Sequence, residues 1–154
     1  MSDIPVLLDF RGRMFRSMIG DSFDYGKYRE FDKKFFERNM EDEGVIVWVV
    51  ESKADEVVAG VAVSFYDLPP KPWNTEGRYA HIFNLYTDPD HRRKGLASKL
   101  MQASMKYAES IGVPHVTLHT SDMGKPLFLS LGFEESNEMS IVVDSPKGSP
   151  FNEV

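Results

Sequence analysis

The stretch YAHIFNLYTDPDHRRKGLASKLMQASMKYAESIG, residues 79–112, decides how the rest of this chain is read. It begins with a mostly apolar run from His81 to Thr87, the pattern of a strand covered on both faces. Asp88 and Pro89 break the run. Three consecutive cations follow, Arg92, Arg93 and Lys94, and Gly95 opens an amphipathic helix. Leu96, Leu100, Ala103, Tyr107, Ala108 and Ile111 form one stripe of that helix, Lys99, Gln102, Lys106 and Glu109 lie outside it, and Gly112 caps its end. A helix N-terminus offers unpaired N–H groups and about half a unit of positive charge. Fixed cations, and a glycine that admits close backbone approach, make that end a site for a doubly charged anion such as a pyrophosphate. A lone basic turn is more often simply solvated, so the reading depends on its surroundings.

The surroundings suit a small-molecule enzyme or binding module. The chain has 154 residues, enough for one domain that buries about two thirds of its unfolded surface. Its net charge of −6 argues against nucleic acid as a partner and leaves the basic run as a local notch in an acidic body, which suits an amine as second ligand. With no cysteine, disulfides, thiolate metal sites and a cysteine nucleophile are excluded, and nothing calls for a metal. No apolar run approaches the ~20 residues of a membrane span, and the start lacks a signal-like apolar core, so a cytoplasmic location with no membrane contact is expected.

Outward from the central stretch, the elements alternate in a recognisable order. Asp3 and Pro5 open a first helix carrying Val6, Leu7, Phe10, Met14 and Met18 at helical spacing, which Gly20 ends. Residues 25–44 give a second helix whose Tyr28, Phe31, Phe35 and Phe36 are expected to be mainly core. Residues 45–52 and 57–67 read as a strand hairpin, with Gly60 a candidate bulge. The Pro-rich residues 68–78, with Trp73 at their centre, are expected to form an irregular loop, more a lid than a linker. VPHVTLHT (113–120) is expected as a parallel strand, GKPLFLSLG (124–132) as a short helix, and residues 133–144 as a last strand or strand pair. Residues 145–154 have the composition of a tail, leaving residues 1–144 as a single domain. The result is an α/β (α+β) chain, one mixed sheet with helices on its faces and an anion site at the carboxyl end of a central strand.

Two separated signals then coincide. LYTDPDHRRKGLASKL and PLFLSLGF together resemble the GNAT superfamily of N-acetyltransferases. Arg92-x-x-Gly95-x-Ala97 is similar to that family's [Q/R]-x-x-G-x-[G/A] acetyl-CoA loop. Leu127 to Phe133 is similar to its L-Y-x-x-x-G-F signature, with Phe128 in the tyrosine position, and DIPVLLDFR looks like its first helix. The resemblance covers residues 3–144 and implies a mostly antiparallel central sheet of about six strands flanked by four helices, with the family's first strand missing. It further implies acetyl-CoA as co-substrate and direct acetyl transfer to a primary amine of a small molecule or peptide. A homodimer would fit the family and the bare sheet edge.

The resemblance also assigns residues. Amides of Arg93, Lys94, Gly95, Leu96 and Ala97, with the Ser98 hydroxyl, would hold the coenzyme A pyrophosphate beside Arg92. Leu85, Tyr86 and Thr87 would line the pantetheine arm, an N–H near Leu85 would stabilise the oxyanion of the tetrahedral intermediate, and Ser121 and Phe128 would meet the cofactor. Acetylating an amine with a pKa of about 10.4 requires a proton acceptor. His81 stands where several members carry the general base, against the alternative of a histidine hydrogen-bonded within the sheet; Glu76 and His119 are reserves, the latter equally readable as a buried structural histidine. His115 and His91 read as surface residues. Phe128 keeps the packing of the family's tyrosine but not its proton, which leaves Tyr86, another hydroxyl, water, or an unprotonated thiolate. It also leaves open a module that binds acyl-CoA without turning it over; a phosphate-binding domain for another nucleotide is a further reading.

Overall fold

The computed structural model describes residues 3–141. Helix α1 (Ile4–Ile19) and helix α2 (Gly26–Glu41) precede three successive strands, β1 (Val45–Glu51), β2 (Val57–Asp67) and β3 (Arg78–Thr87). Helix α3 (Leu96–Ser110), strand β4 (His115–Leu118) and the short helix α4 (Lys125–Ser130) complete the order. The sheet runs β1-β2-β3-β4, antiparallel except for the parallel β3–β4 pair that α3 connects. Both α3 and α4 stop on left-handed glycines. Gly112 (φ +72°) and Gly132 (φ +90°) let Val113 N–H reach Ala108 O at 2.9 Å and Phe133 N–H reach Phe128 O at 3.1 Å.

The two sheet faces are packed separately. On one, α3 contributes Leu100, Met101 and Ala108 to a core with Ala59, Val61, Val63, Ala80 and Ile82. On the other, Leu7 and Leu8 of α1 and Phe36 of α2 cover Val45 and Ala62, with Phe83 against them. The α1–α2 pair is clasped by Asp32, which accepts from Arg11 Nε at 2.7 Å and from Tyr25 OH at 2.8 Å. Tyr25 sits against Gly12, where a Cβ would fall 2.6 Å from the ring.

Three expectations are corrected. The sheet has four strands, not about six, among the described residues. Residues 133–141 are irregular, and 142–144 lie outside the described residues, as does the expected tail. The run Glu134, Glu135, Ser136, Asn137, Glu138 supplies no apolar alternation for a strand to bury. No strand precedes α1 among the described residues, so the β1 edge is uncovered there. The aromatic side of α2 is only partly core: Phe36 is fully buried, whereas Tyr28, Phe31 and Phe35 are exposed, and so is Met18 of α1.

The irregularity expected at Gly60 lies between Gly60 and Ala62, with the extra residue on β3, and a second register shift falls between Val50 and Glu51. Between the pairs Gly60–Tyr86 and Ala62–Phe83, Val61 alone stands opposite both Asn84 and Leu85. Asn84 takes a left-handed backbone (φ +55°) to accommodate the extra residue. The Pro-rich loop is held by buried Asn74, whose Nδ2 donates to Arg78 O at 2.9 Å and whose Oδ1 accepts from Gly77 N–H at 3.1 Å. Trp73 at its tip is exposed, with the Lys71 ammonium 5.8 Å from its ring centroid.

Candidate functional site

The site begins where β3 and β4 part. Their pairing ends at Ile82–Leu118, and the next two β3 residues outside the β2 register are Asn84 and Leu85. On the β2 side these two share Val61 at the bulge, but on the β4 side neither has a partner, which leaves that edge of the segment open to a ligand lying in the gap. Leu85 turns its side chain into the α3 core, and Tyr86 turns its ring onto Phe10 of α1, with centroids 4.9 Å apart. Only the backbone of this segment faces the gap.

The gap leads to the turn before α3. Arg93 and Gly95 are both left-handed (φ +62° and +76°), which curls the turn so that successive amides point the same way. Among the described residues, no N–H of residues 93–98 has a hydrogen-bond partner. A Cβ on Gly95 would meet nothing within 4 Å, so the space above the turn is open. Arg92 and Lys94 fold back on the loop, donating to Thr87 O at 3.0 Å and to Asp90 O at 2.9 Å. Neither those two nor Arg93 forms an ion pair among the described residues, so three positive charges stand uncompensated around six open amides. Two buried polar atoms flanking the turn, Thr87 Oγ1 and His91 Nδ1, also lack partners among the described residues. His91 is thus partly buried rather than a surface residue. This donor set fits a pyrophosphate on both charge and geometry.

Arg13 of α1, missed in the sequence, anchors the start of the turn. It pairs with Asp88 at 2.8 Å and with Asp9 at 2.8 Å, beside the Tyr86 phenol. The Asp88 N–H in turn donates to Val58 O at 2.9 Å.

On the α1–α2 face, His81 is half-buried and its Nδ1 lies 2.9 Å from Thr117 Oγ1 on β4. The Thr117 hydroxyl donates to Ala80 O at 3.4 Å. In the tautomer where Oγ1 accepts from Nδ1–H, the Nε2 lone pair is free for an incoming proton. Burial first, then the neighbouring His119, holds the His81 pKa below the ordinary histidine value, against a smaller opposing pull from the Glu138 carboxylate. A lowered pKa keeps the imidazole neutral at pH 7, as a base requires. His119 is exposed, not a buried structural histidine, and sits T-shaped to His81 with centroids 5.0 Å apart. Tyr66 reaches the same Thr117 hydroxyl at 3.5 Å.

The remaining expected residues are dispersed. Glu76 is exposed on the Pro-rich loop, with no contact to His81 among the described residues. Ser121 organises the entry to α4, its carbonyl accepting from Gly124 and Lys125 N–H at 3.0 Å each. Phe128 packs half-buried against the α3-side core, 6.0 Å from Phe133. Tyr86 keeps its hydroxyl beside Arg13, away from the gap. Thr117 and Glu138 carry no sequence signal, since a strand threonine and a glutamate in an acidic run are unremarkable. Asn84, a polar residue inside an apolar run, could have been found.

The sequence profile of the Acetyltransferase (GNAT) family matches residues 12–133. This chain belongs to that family. The GNAT match takes in the whole sheet, the turn before α3 and α4. Among curated relatives, the GNAT chain is 28% identical over 102 residues to N-acetyltransferase 8 of Homo sapiens, covering 64% of this chain and 43% of that one. It is 30% identical over 98 residues to N-acetyltransferase 8B of Homo sapiens, covering 62% and 41%. The chain thus spans less than half the length of these relatives. Among solved structures, a predicted acetyltransferase from Clostridium acetobutylicum, crystallised with acetyl-CoA, is similar at 25% identity and TM-score 0.84, over 92% of this chain and 90% of that one. A GCN5-related N-acetyltransferase from Ralstonia eutropha JMP134 is similar at 26% identity and TM-score 0.85, over 92% and 93%. No described helix of this GNAT chain is long and apolar enough to cross a membrane.

Proposed function

We propose that this chain is an acetyl-CoA-dependent N-acetyltransferase that moves the acetyl group directly to a primary amine of a small molecule or peptide. The observation that carries the reading is the row of six open amides at residues 93–98, set among three unpaired cations at the mouth of the β3–β4 gap. The relatives named N-acetyltransferase and the neighbour crystallised with acetyl-CoA support nitrogen as acceptor and acetyl-CoA as donor. Acetyl-CoA supplies an activated thioester. Residues 93–98 and Arg92 bind its pyrophosphate, the backbone of Leu85 to Thr87 lies along its arm, and Ser121 and Phe128 border it near α4. A peptide N–H near Leu85, at the bulge, is offered to the thioester oxygen. His81 takes the proton from the attacking amine through Nε2, with Nδ1 fixed by Thr117. His119 stands next to it as second acceptor and Glu76 is the more distant reserve. The protein works in the cytoplasm, and a homodimer formed through the open β1 edge fits the fold.

Incubation with acetyl-CoA and a panel of amines, followed by thiol release, tests this. The expected result is amine-dependent release that Gly95→Val suppresses. Saturable coenzyme binding with no release for any amine would support the second reading, a non-catalytic acyl-CoA module. Phe128 favours that reading, because it supplies no proton to a departing thiolate. Displacement of acetyl-CoA by ATP at equal concentration would point to another nucleotide as the ligand.

A further inference from the structure

α2 carries a stripe of rings that the described protein covers only in part, Tyr28 stacking on Phe23 with centroids 5.3 Å apart and Phe35 meeting Phe36 and Phe83. Tyr28, Phe31 and Phe35 recur at helical spacing and are 45%, 73% and 37% exposed, while Phe36 beside them is fully buried. Ring surface left in water forgoes the stabilisation of burial, so three part-exposed rings on one face ask for an occupant. The inner end of the stripe is tied to the reactive face. Phe35 lies edge-on to Phe83 with centroids 6.0 Å apart, and Phe83 is two residues from His81 on the same side of β3.

Aromatic surface continues on the other side of His81. Tyr66, 37% exposed, stacks on Tyr79 at 5.6 Å, and its hydroxyl meets the same Thr117 hydroxyl that holds His81. The imidazole therefore stands between two apolar walls rather than at the bottom of a polar cup. The carboxylate nearest it is that of Glu138, which the segment after α4 brings close enough to act on His81, while Glu135 of the same run is paired with Lys125 at 2.6 Å. Carboxylates and ring faces both attract an ammonium group, whereas the rings alone suit its apolar substituent.

We infer that the groove between α2 and the β2–β4 face selects small primary amines bearing an aromatic or branched apolar group, with Phe35 and Phe83 setting specificity and Phe31 extending the wall outward. This rests on the acetyl-transfer reading above and narrows its acceptor. An amine carrying only hydroxyls or further ammonium groups would leave the rings wet and gains nothing from them.

The test compares 2-phenylethylamine, 3-methylbutylamine, ethanolamine and putrescine as acceptors, alongside calorimetric titration of 2-phenylethylamine into the coenzyme A-loaded protein. Phenylethylamine should exceed ethanolamine in kcat/KM by about tenfold or more, the yield of one well-filled apolar pocket. Phe35→Ala should bring that ratio toward one. Phe31→Ser, at a position too exposed to unfold the chain, should weaken phenylethylamine binding about threefold, with acetyl-CoA affinity as the control for folding. Turnover without preference for the apolar amines, or full preference in both variants, overturns the inference and leaves acetyl transfer standing. So does a dimer that Phe31→Ser dissolves while amine selection persists. Loss of phenylethylamine binding in Phe31→Ser, with no thiol released from any amine, upholds the groove and overturns the reaction.

Discussion

The turn before α3 and the groove around His81 are built by opposite means. The turn binds with backbone. Its donors are amides, its shape comes from two left-handed residues, and two of its three cations fold back on the carbonyls of Thr87 and Asp90. The groove is made of side chains: an imidazole oriented by a threonine, and rings supplied by α2, β2 and β3. A backbone site accepts many side chains provided its dihedrals survive, while a side-chain site can change ligand with one substitution. The turn therefore suits a co-substrate common to a family, and the groove an acceptor peculiar to one member.

Substitutions on the two sides should separate accordingly. His81→Ala should lower kcat about 10²–10⁴-fold, the usual contribution of a general base, with little change in acetyl-CoA KM. A loss below tenfold would make the imidazole a structural partner of Thr117. In wild type the neutral imidazole dominates above the lowered pKa, so kcat/KM should fall as pH drops through an apparent pKa below 6.5, and the variant should lack that limb. Gly95→Val should do the reverse. A β-branched residue forced to φ +76° strains the turn and crowds its ligand, raising acetyl-CoA KM about 10–100-fold with less effect on the amine. An unchanged KM would detach the turn from the pyrophosphate.

Smaller effects sharpen the contrast. Arg13→Ala removes a partly exposed pair and should raise acetyl-CoA KM only about two- to fivefold. A change confined to amine KM would place Arg13 on the groove side instead. The smallest effect is on folding. Because the folded pKa of His81 is lowered, its neutral form is favoured in the native state. That contribution is complete above the unfolded value of about 6.5 and is lost as pH falls from there toward the folded pKa. Urea midpoints should drop more between pH 7.5 and 5.5 for wild type than for His81→Asn; equal drops would mean that His81 is not desolvated.

The same division explains what the sequence disclosed. A turn that needs a left-handed Gly95, clustered cations and an amphipathic helix must write those needs into consecutive residues, so its shape and charge were legible at residues 92–98, and its role only together with the strand and helix around it. The parallel β4 and the α3 crossover were readable for the same local reason. Tyr28, Phe31 and Phe35 were not, because periodicity is identical whether a stripe faces a core or a groove. Thr117 and Arg13 act across 36 and 75 residues of chain, on His81 and Asp88, and nothing local marks such partners. The expected strand over residues 133–144 failed at its acidic first half, where no neighbour offers a surface to alternate against.

The extra residue at Asn84–Leu85 sets the phase of the rest of β3. Plain alternation from Phe83 would aim Leu85 at α2 and Tyr86 at α3. Instead Leu85 lies in the α3 core and Tyr86 against Phe10. Removing Asn84 would restore plain alternation and keep Leu85 and Tyr86 on their present faces at the loss of the bulge, whereas one residue added after it would invert every later side chain, driving a phenol into aliphatic packing and pulling Asp88 off Arg13. Evolution can lengthen or shorten the hairpin at residues 52–56 at small cost, but the interval from Phe83 to Tyr86 behaves as a reading frame in space.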